Sequence, residues 1–274
     1  MQSRKDGYNH LYLCSIGKSG SRMAGNTVSL DVKQITKGNW EVLDFLGFNA
    51  KRKGIIISSN EISPIQCNIF FVDLKTGKRT RMDEGGKGWH SASLSKSGQY
   101  IYDNYSEPNV PRNIAIVNVA NGKSFSYFKA DDPWKGYKVP KYTCGTVKAA
   151  DGTTDLYWRM VKPVDFDPNK KYPVIEYIYS GPGDAYTPKS FMPYNWYTTS
   201  LAELGFIVVQ LDAMGTSYRG KKFEEVCYKN LKDAGFPDRE LWIKAAAKKY
   251  PYMDADNVAI YGCSAGGQES TTAV

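Results

Sequence analysis

The sequence of 274 residues lacks features that would assign it to several whole classes of protein. No uninterrupted apolar run approaches the roughly 18 residues that a membrane-spanning helix needs, so no such helix is predicted. The opening MQSRKDGYNH contains no apolar core of a secretory signal peptide, although this carries little weight if residue 1 is not the native start. A hydrophobic fraction of 42% with 14% aromatic residues excludes a disordered chain.

Cysteine and histidine are scarce, which limits the kinds of site that the chain can build. The five cysteines are odd in number, widely spaced and without a CxxC pair, so neither a disulfide framework nor a metal site is predicted. They are Cys14, Cys67, Cys144, Cys227 and Cys263. The two histidines are His10 and His90. We expect no cofactor.

The net charge of +8 raises the hypothesis of a nucleic-acid partner. The basic residues, however, are dispersed in short groups, several of them beside turn glycines, at 51–53, 78–79, 221–222 and 248–249. Such groups are typical of solvated loops, so we predict no nucleic-acid binding.

The first half of the chain contains a repeat of short strands. Residues 68–78 align with residues 113–123 at an offset of 45, with Asn, Ile, Val, Gly and Lys recurring in step. The same offset places residues 54–58 over residues 99–103, and a weaker third copy lies at residues 9–13.

A period near 45 residues with several strands per unit is typical of β-propeller blades. The repeat therefore predicts about two and a half blades, with Phe71 and Ile116 at equivalent positions in two of them. The alternative is a single β-sandwich whose hairpins are similar by chance.

After a connector at residues 129–145, strands alternate with helices. The predicted elements are a hairpin at 146–160, strands at 174–179, 206–211 and 258–261, and helices at 195–204 and 237–249. This alternation is typical of a mostly parallel sheet with helices on both faces.

The last predicted strand runs directly into Gly-Cys-Ser-Ala-Gly-Gly, which fits the G-x-S-x-G nucleophile elbow. In such an elbow the strand turns sharply into a helix and lifts Ser264 above the sheet. Strand and helix then approach so closely that Gly262 and Gly266 can carry almost no side chain. Cys263 lies one residue before the serine, and we expect it to be a small buried thiol.

Four segments in this order resemble the prolyl oligopeptidase superfamily of serine peptidases (peptidase family S9), in its dipeptidyl-peptidase IV-like branch. They are YPV at 172–174, YSGP at 179–182, LDAMGTSYRG at 211–220 and YGCSAGG at 261–267. The resemblance covers essentially the whole chain. It implies the C-terminal blades of a partial β-propeller in residues 1–135, then the N-terminal part of an α/β-hydrolase domain in residues 136–274.

The resemblance also implies roles for three residues. Ser264 would attack the peptide carbonyl, and the backbone N–H of Ala265 would donate to the resulting oxyanion. Tyr179 would supply the second oxyanion donor, which suits a phenol at the C-terminal end of a strand. From the residues alone, the favoured interpretation is that Tyr179, one of 20 tyrosines, packs the end of a strand.

The chain departs from the family pattern after the elbow. Triad residues follow in the order serine, acid, histidine, but the residues after Ser264 include no histidine and one acid, Glu269, on the helix after the nucleophile. His10 and His90 precede the serine in the propeller. We therefore expect a fragment truncated at both ends and inactive alone, since a serine without a base is a weak nucleophile.

These patterns predict a serine peptidase that cleaves short peptides after proline or a small residue through an acyl-enzyme. The alternatives are an α/β-hydrolase esterase and a non-catalytic propeller interaction module beside a degenerate hydrolase. The predicted partner is a peptide substrate, and the resemblance favours a periplasmic or extracellular location. Exopeptidase or endopeptidase action and the oligomeric state, homo-oligomer or monomer, are left open.

Overall fold

The computed structural model describes residues 1–16, 30–185, 187, 190–191, 195, 197–232 and 234–274. The chain forms two compact units. The first consists of Met1–Gly85, His90–Asn104 and Ile114–Tyr127, and the second consists of Gly86–Trp89, Tyr105–Asn113 and Phe128–Val274. The predicted domain boundary between residues 135 and 136 stays a prediction.

Short strands build the chain up to residue 129, in three sheets. The strands are β1 (Gln2–Ser3), β2 (His10–Ile16), β3 (Leu30–Gln34), β4 (Val42–Phe48), β5 (Gly54–Ser59), β6 (Asn68–Asp73), β7 (Arg79–Arg81), β8 (Trp89–Leu94), β9 (Tyr100–Glu107), β10 (Val110–Asn118) and β11 (Ser124–Lys129). The sheets have the orders β1-β2-β3, β4-β5-β6-β7 and β11-β10-β9-β8, so each strand neighbours the next in sequence.

The 45-residue repeat is confirmed as two equivalent four-stranded sheets. Phe71 lies in β6 and Ile116 in β10, the third strand of each sheet. The turns that follow also match: Gly77 has φ 72° and Gly122 has φ 71°, and each N–H donates to the carbonyl four residues earlier at 2.8 Å. The two copies therefore do not pair within one sheet, as the propeller interpretation requires.

The middle sheet is buried on both faces, which is why β5 is apolar at successive positions. Ile55 and Ile57 pack in a cluster with Leu11 from the first sheet. Ile56 points to the other face and packs in a second cluster with Ile101 from the third sheet. A sheet covered on both faces by its neighbours is consistent with blades of a partial propeller.

Both histidines are buried in the first unit with both ring nitrogens hydrogen-bonded. His10 Nδ1 lies 3.1 Å from Thr36 Oγ1, and its Nε2 lies 2.9 Å from the Gly38 carbonyl. His90 Nδ1 lies 2.8 Å from Asp103, and its Nε2 lies 3.0 Å from the Gly85 carbonyl. Neither ring presents an unengaged nitrogen to a serine hydroxyl.

A five-stranded sheet with helices forms the rest of the chain. Its elements are β12 (Tyr142–Lys148), β13 (Asp155–Val161), β14 (Tyr172–Tyr177), α1 (Thr199–Glu203), β15 (Ile207–Asp212), α2 (Lys221–Glu224), a 3₁₀ turn (Glu225–Cys227), α3 (Phe236–Lys249), β16 (Met253–Tyr261) and α4 (Ala265–Ala273). The strand order is β12-β13-β15-β14-β16. No helix in the described part of the chain is long and apolar enough to cross a membrane.

The sheet is mixed, so the prediction of a mostly parallel sheet was wrong for this part of the fold. β14 pairs in parallel with β15 and with β16. β12 and β13 pair antiparallel, and β13 pairs antiparallel with β15. The reason is the tight turn at Asp151-Gly152, which reverses the chain between β12 and β13 without a crossover helix.

Helices cover both faces of this sheet, as predicted. Trp242 and Ala246 of α3 pack in one cluster with Val209 of β15. Ala202 of α1 packs in another cluster with Val208, whose side chain points to the opposite face.

The helix predicted for residues 195–204 is shorter in the structure. It begins at Thr199, because the Thr199 hydroxyl donates to the Asn195 carbonyl and accepts from the Asn195 N–H, which makes the preceding segment a turn. Trp196 lies outside the described residues.

Candidate active site

Two parallel strands bring the predicted site residues to one edge of the sheet. β14 ends at Tyr177 and β16 ends at Tyr261, and these two residues are register partners. The pairing continues one step further, since the Ile178 N–H donates to the Tyr261 carbonyl at 2.9 Å. The segments that follow both strands therefore emerge side by side at the carboxyl edge of the sheet.

Ser264 occupies a strained turn between strand and helix, as predicted. It lies between the end of β16 at Tyr261 and the start of α4 at Ala265, with φ 56° and ψ −120°. A positive φ is uncommon for a residue with a side chain and costs about 1–3 kcal/mol in sparsely populated regions. The side chain is exposed at the N-terminus of α4, where the helix dipole favours negative charge.

The two flanking glycines are required by close backbone approach. A Cβ on Gly262 would lie 2.5 Å from the Ile178 carbonyl oxygen and 2.6 Å from the Gly266 carbonyl carbon. A Cβ on Gly266 would overlap the same Ile178 oxygen. The prediction that these positions can carry almost no side chain is confirmed.

Tyr179 and Ala265 both lie close to Gly181. A Cβ built on Gly181 would meet the Ala265 Cβ at 3.0 Å and two ring carbons of Tyr179 at 3.2 Å. The turn after β14 is thus in contact range of the first residue of α4. The first N–H groups of a helix have no intrahelical acceptor, so the Ala265 N–H is available to an oxygen at this edge.

The Tyr179 hydroxyl is a neutral donor in this setting. Burial raises its pKa, and the negative charges of Asp184 and Glu269 raise it further. The hydroxyl donates to the Pro182 carbonyl across 3.4 Å, a long bond that a stronger acceptor can replace.

A neighbouring loop fixes the turn that carries Tyr179. The Gly183 N–H donates to Ser217 Oγ at 2.7 Å, and the Ser217 N–H donates to the Asp184 carbonyl at 3.0 Å. Gly215, with φ 105°, has no room for a side chain, since its Cβ would lie 2.9 Å from the Ser180 carbonyl oxygen.

Sequence reasoning missed a buried charged cluster behind this turn. Arg239 of α3 forms an ion pair with Glu176 of β14 and donates to Ser180 Oγ at 2.8 Å. Glu269 of α4 accepts from the Ser180 N–H at 2.9 Å. One signal was available: a glutamate inside the apolar run of a buried strand demands a cationic partner.

Glu269 lies on the helix that follows Ser264, as expected. Its carboxylate faces Ser180 on the buried side of α4, whereas Ser264 is exposed at the start of that helix. Among the described residues, no group of three or more metal-ligating side chains occurs.

The expectation for Cys263 was wrong. Its thiol is exposed, because the turn that lifts Ser264 leaves the preceding residue outside the contact between strand and helix. All five cysteines are free, and Cys67 and Cys227 are buried.

Two family models match the chain. The model described as the dipeptidyl peptidase IV (DPP IV) N-terminal region matches residues 1–112, and that of the prolyl oligopeptidase family matches residues 192–274. Dipeptidyl peptidase 8 of Homo sapiens is 28% identical over 98% of this chain and 33% of its own length. Dipeptidyl peptidase 4 of Trichophyton equinum is 29% identical over 97% of this chain and 33% of its own length.

Solved structures show the same likeness. Porphyromonas gingivalis dipeptidyl peptidase 4 superposes with a TM-score of 0.81 and 27% identity, over 99% of this chain and 37% of that chain. A candidate dipeptidyl aminopeptidase IV of Bacteroides ovatus superposes with a TM-score of 0.85 and 36% identity, over 98% of this chain and 39% of that chain. The chain spans about a third of the length of the curated relatives it matches.

Proposed function

Because the chain belongs to the prolyl oligopeptidase family of serine peptidases, in its dipeptidyl peptidase IV-like branch, we propose that the complete protein hydrolyses peptides through an acyl-enzyme on Ser264. The observation that carries the proposal is the placement of Ser264. Its side chain is exposed on a strained strand-to-helix turn, directly before Ala265, and Ala265 lies close to the turn that carries Tyr179.

In the first step, Ser264 Oγ attacks the carbonyl carbon of the scissile bond as its proton passes to a base. The carbonyl π electrons move to oxygen, which becomes negatively charged in the tetrahedral intermediate. As the intermediate collapses, the base returns the proton to the leaving nitrogen, the C–N bond breaks to release an amine, and an ester is left on Ser264. Water then hydrolyses that ester by the same sequence.

In this proposal, the turn after β14 and the start of α4 stabilise the developing oxyanion. The support is that the Tyr179 ring and Ala265 both lie close to Gly181, so a substrate oxygen in this region would be within reach of both donors. Each donor would strengthen its hydrogen bond as the oxygen gains charge, so the stabilisation would fall on the transition state.

For the substrate, we propose peptides with a free amino terminus, cleaved after the second residue when that residue is proline or small. The support is the set of relatives, which are named dipeptidyl peptidases in human, fungal and bacterial species. We retain peptide hydrolysis over ester hydrolysis for the same reason.

The test uses the complete protein and two substrates, Gly-Pro-p-nitroanilide and its N-acetylated form. We expect release of p-nitroaniline from the first substrate only, and loss of that release in Ser264→Ala. Equal cleavage of both substrates would overturn the dipeptidyl specificity. Hydrolysis of p-nitrophenyl esters with no anilide cleavage would favour an esterase instead.

A further inference from the structure

Three charged residues from three different elements meet behind the turn that carries Tyr179. Arg239 comes from α3, Glu176 from β14 and Glu269 from α4, and their exposed fractions are 2%, 4% and 0%. Charged side chains are almost never fully buried unless they are paired.

The turn is the part of the backbone that these side chains share. Arg239 Nη2 donates to Ser180 Oγ at 2.8 Å and to the Tyr179 carbonyl at 3.1 Å. Glu269 Oε2 accepts from the Ser180 N–H at 2.9 Å. Ser180 is therefore held through its hydroxyl by one helix and through its N–H by another.

The hydrogen bond from the Ser180 N–H to Glu269 links the two halves of the proposed oxyanion site. Glu269 lies in the same helix as Ala265, one turn further on, and Ser180 directly follows Tyr179. The bond thus couples the position of the phenol to the helix that supplies the other donor.

Packing alone does not explain such a cluster. Two carboxylates face one guanidinium, burial raises the pKa of Glu269, and Glu269 Oε1 has no hydrogen-bond partner among the described residues. Apolar residues of similar volume often fill such a site with equal or greater stability, so stability alone does not account for the charges.

We propose that Glu269 and Arg239 are positioning residues that hold the Tyr179–Gly181 turn against α4, so that the Tyr179 hydroxyl and the Ala265 N–H face the same oxygen. Glu176 anchors Arg239 through the buried ion pair. The inference rests on the proposed function for its catalytic consequence, but the coupling of turn and helix is independent of it.

The test compares Glu269→Leu with Glu269→Gln in the complete protein. Leucine has no acceptor for the Ser180 N–H, whereas the glutamine carbonyl can accept it. Since a misplacement of about 1 Å can cost ~100-fold in rate, we expect Glu269→Leu to lower kcat by roughly 10- to 100-fold with KM within about twofold. Glu269→Gln should recover most of that loss. Lys244→Gln, on the exposed face of α3, is the control and should leave kcat unchanged.

A double-mutant cycle with Tyr179→Phe separates positioning from general destabilisation. If Glu269 acts through the phenol, Glu269→Leu should change kcat by less than about twofold once the phenol hydroxyl is absent. The same fold loss in both backgrounds would overturn the proposal. Arg239→Lys can replace Glu269→Leu in a second double-mutant cycle. A lysine lacks the planar guanidinium with which Arg239 donates to both Ser180 and Tyr179.

Amide hydrogen exchange at Ser180 tests the coupling of turn and helix without any measurement of enzymatic activity. We expect faster exchange at Ser180 in Glu269→Leu and near-native exchange in Glu269→Gln. Unchanged exchange in Glu269→Leu would overturn the coupling even in an active enzyme. Altered exchange in a protein with no Ser264-dependent peptidase activity would leave the coupling standing and reject the proposed function instead.

Discussion

Gly262 and Gly266 approach each other so closely that a Cβ on the first would lie 2.6 Å from the carbonyl carbon of the second. Both also lie against the Ile178 carbonyl, the last backbone group before Tyr179. The turn that carries Ser264 and the turn that carries Tyr179 are therefore in direct backbone contact. A change in one displaces the other.

Gly266→Ala tests this contact. The added methyl would overlap a backbone carbonyl that cannot rotate away, so we expect a loss of at least about 1–3 kcal/mol in the free energy of unfolding, with loss of activity in the complete protein. Gly267→Ala is the milder comparison, since its Cβ would meet its nearest neighbour, the Gly262 carbonyl oxygen, at 3.3 Å, a tight contact that a shift of a few tenths of an ångström relieves. Urea denaturation measures both. Equal small effects would show that the elbow is looser than the structure indicates.

Tyr179→Phe removes one proposed oxyanion donor and keeps the ring. Removal of one such donor typically costs ~10²–10³ in kcat, and the loss should spare KM because the interaction forms in the transition state. Steady-state kinetics of the complete protein measure the split, with Tyr137→Phe, an exposed residue, as control. An unchanged kcat in Tyr179→Phe would return Tyr179 to a packing role.

The pH dependence of stability follows from Glu269. Burial raises its pKa above the ordinary 4.5, and Glu176 adds to this, while Arg239 and the Ser180 hydrogen bond oppose it. The folded protein thus holds the proton more tightly than the unfolded chain, so this residue lowers the free energy of unfolding as pH rises from about 4.5 through the folded-state pKa.

Glu269→Gln cannot ionise, so it should remove this contribution. Relative to the parent protein, we expect the variant to gain stability as pH rises above about 4.5. Urea denaturation followed by tryptophan fluorescence measures the curves, and Glu240→Gln, on the exposed face of α3, is the control. A variant whose curve runs parallel to that of the parent would contradict the shift.

The two blade turns should respond alike to substitution. Gly77 and Gly122 have φ 72° and 71°, and neither has a neighbour that would clash with a methyl group. Alanine in a left-handed conformation costs about 1–2 kcal/mol, so Gly77→Ala and Gly122→Ala should each lose this much, additively in the double variant. Thermal unfolding checks it. A difference above about 1 kcal/mol between the single variants would argue against equivalent turns.

The sequence predicted those parts of the molecule that depend on local or periodic signals. The 45-residue offset predicted that Phe71 and Ile116 lie in matching strands. The two glycines around Ser264 predicted the sharp turn between strand and helix. The exposure of Cys263 was missed because it depends on which side of the turn faces the helix.

Glu176 in an apolar strand signals that a cationic partner exists, but the sequence does not identify Arg239 and Glu269 as its neighbours, since the three residues are up to 93 positions apart and belong to no motif. Only the sheet register and the helix packing bring them together. The mixed strand pairing could not be predicted for a related reason. The alternation of strands and helices along the chain does not indicate which strand of the sheet a hairpin pairs with.

The central claim is that Ser264 is an activated nucleophile in the complete protein. The most direct measurement is reaction with a fluorophosphonate probe, followed by proteolysis and mass spectrometry of the modified peptide. We predict a single adduct on Ser264, absent in Ser264→Ala and absent after heat denaturation. An adduct on another residue, or labelling that persists in Ser264→Ala, would contradict the account.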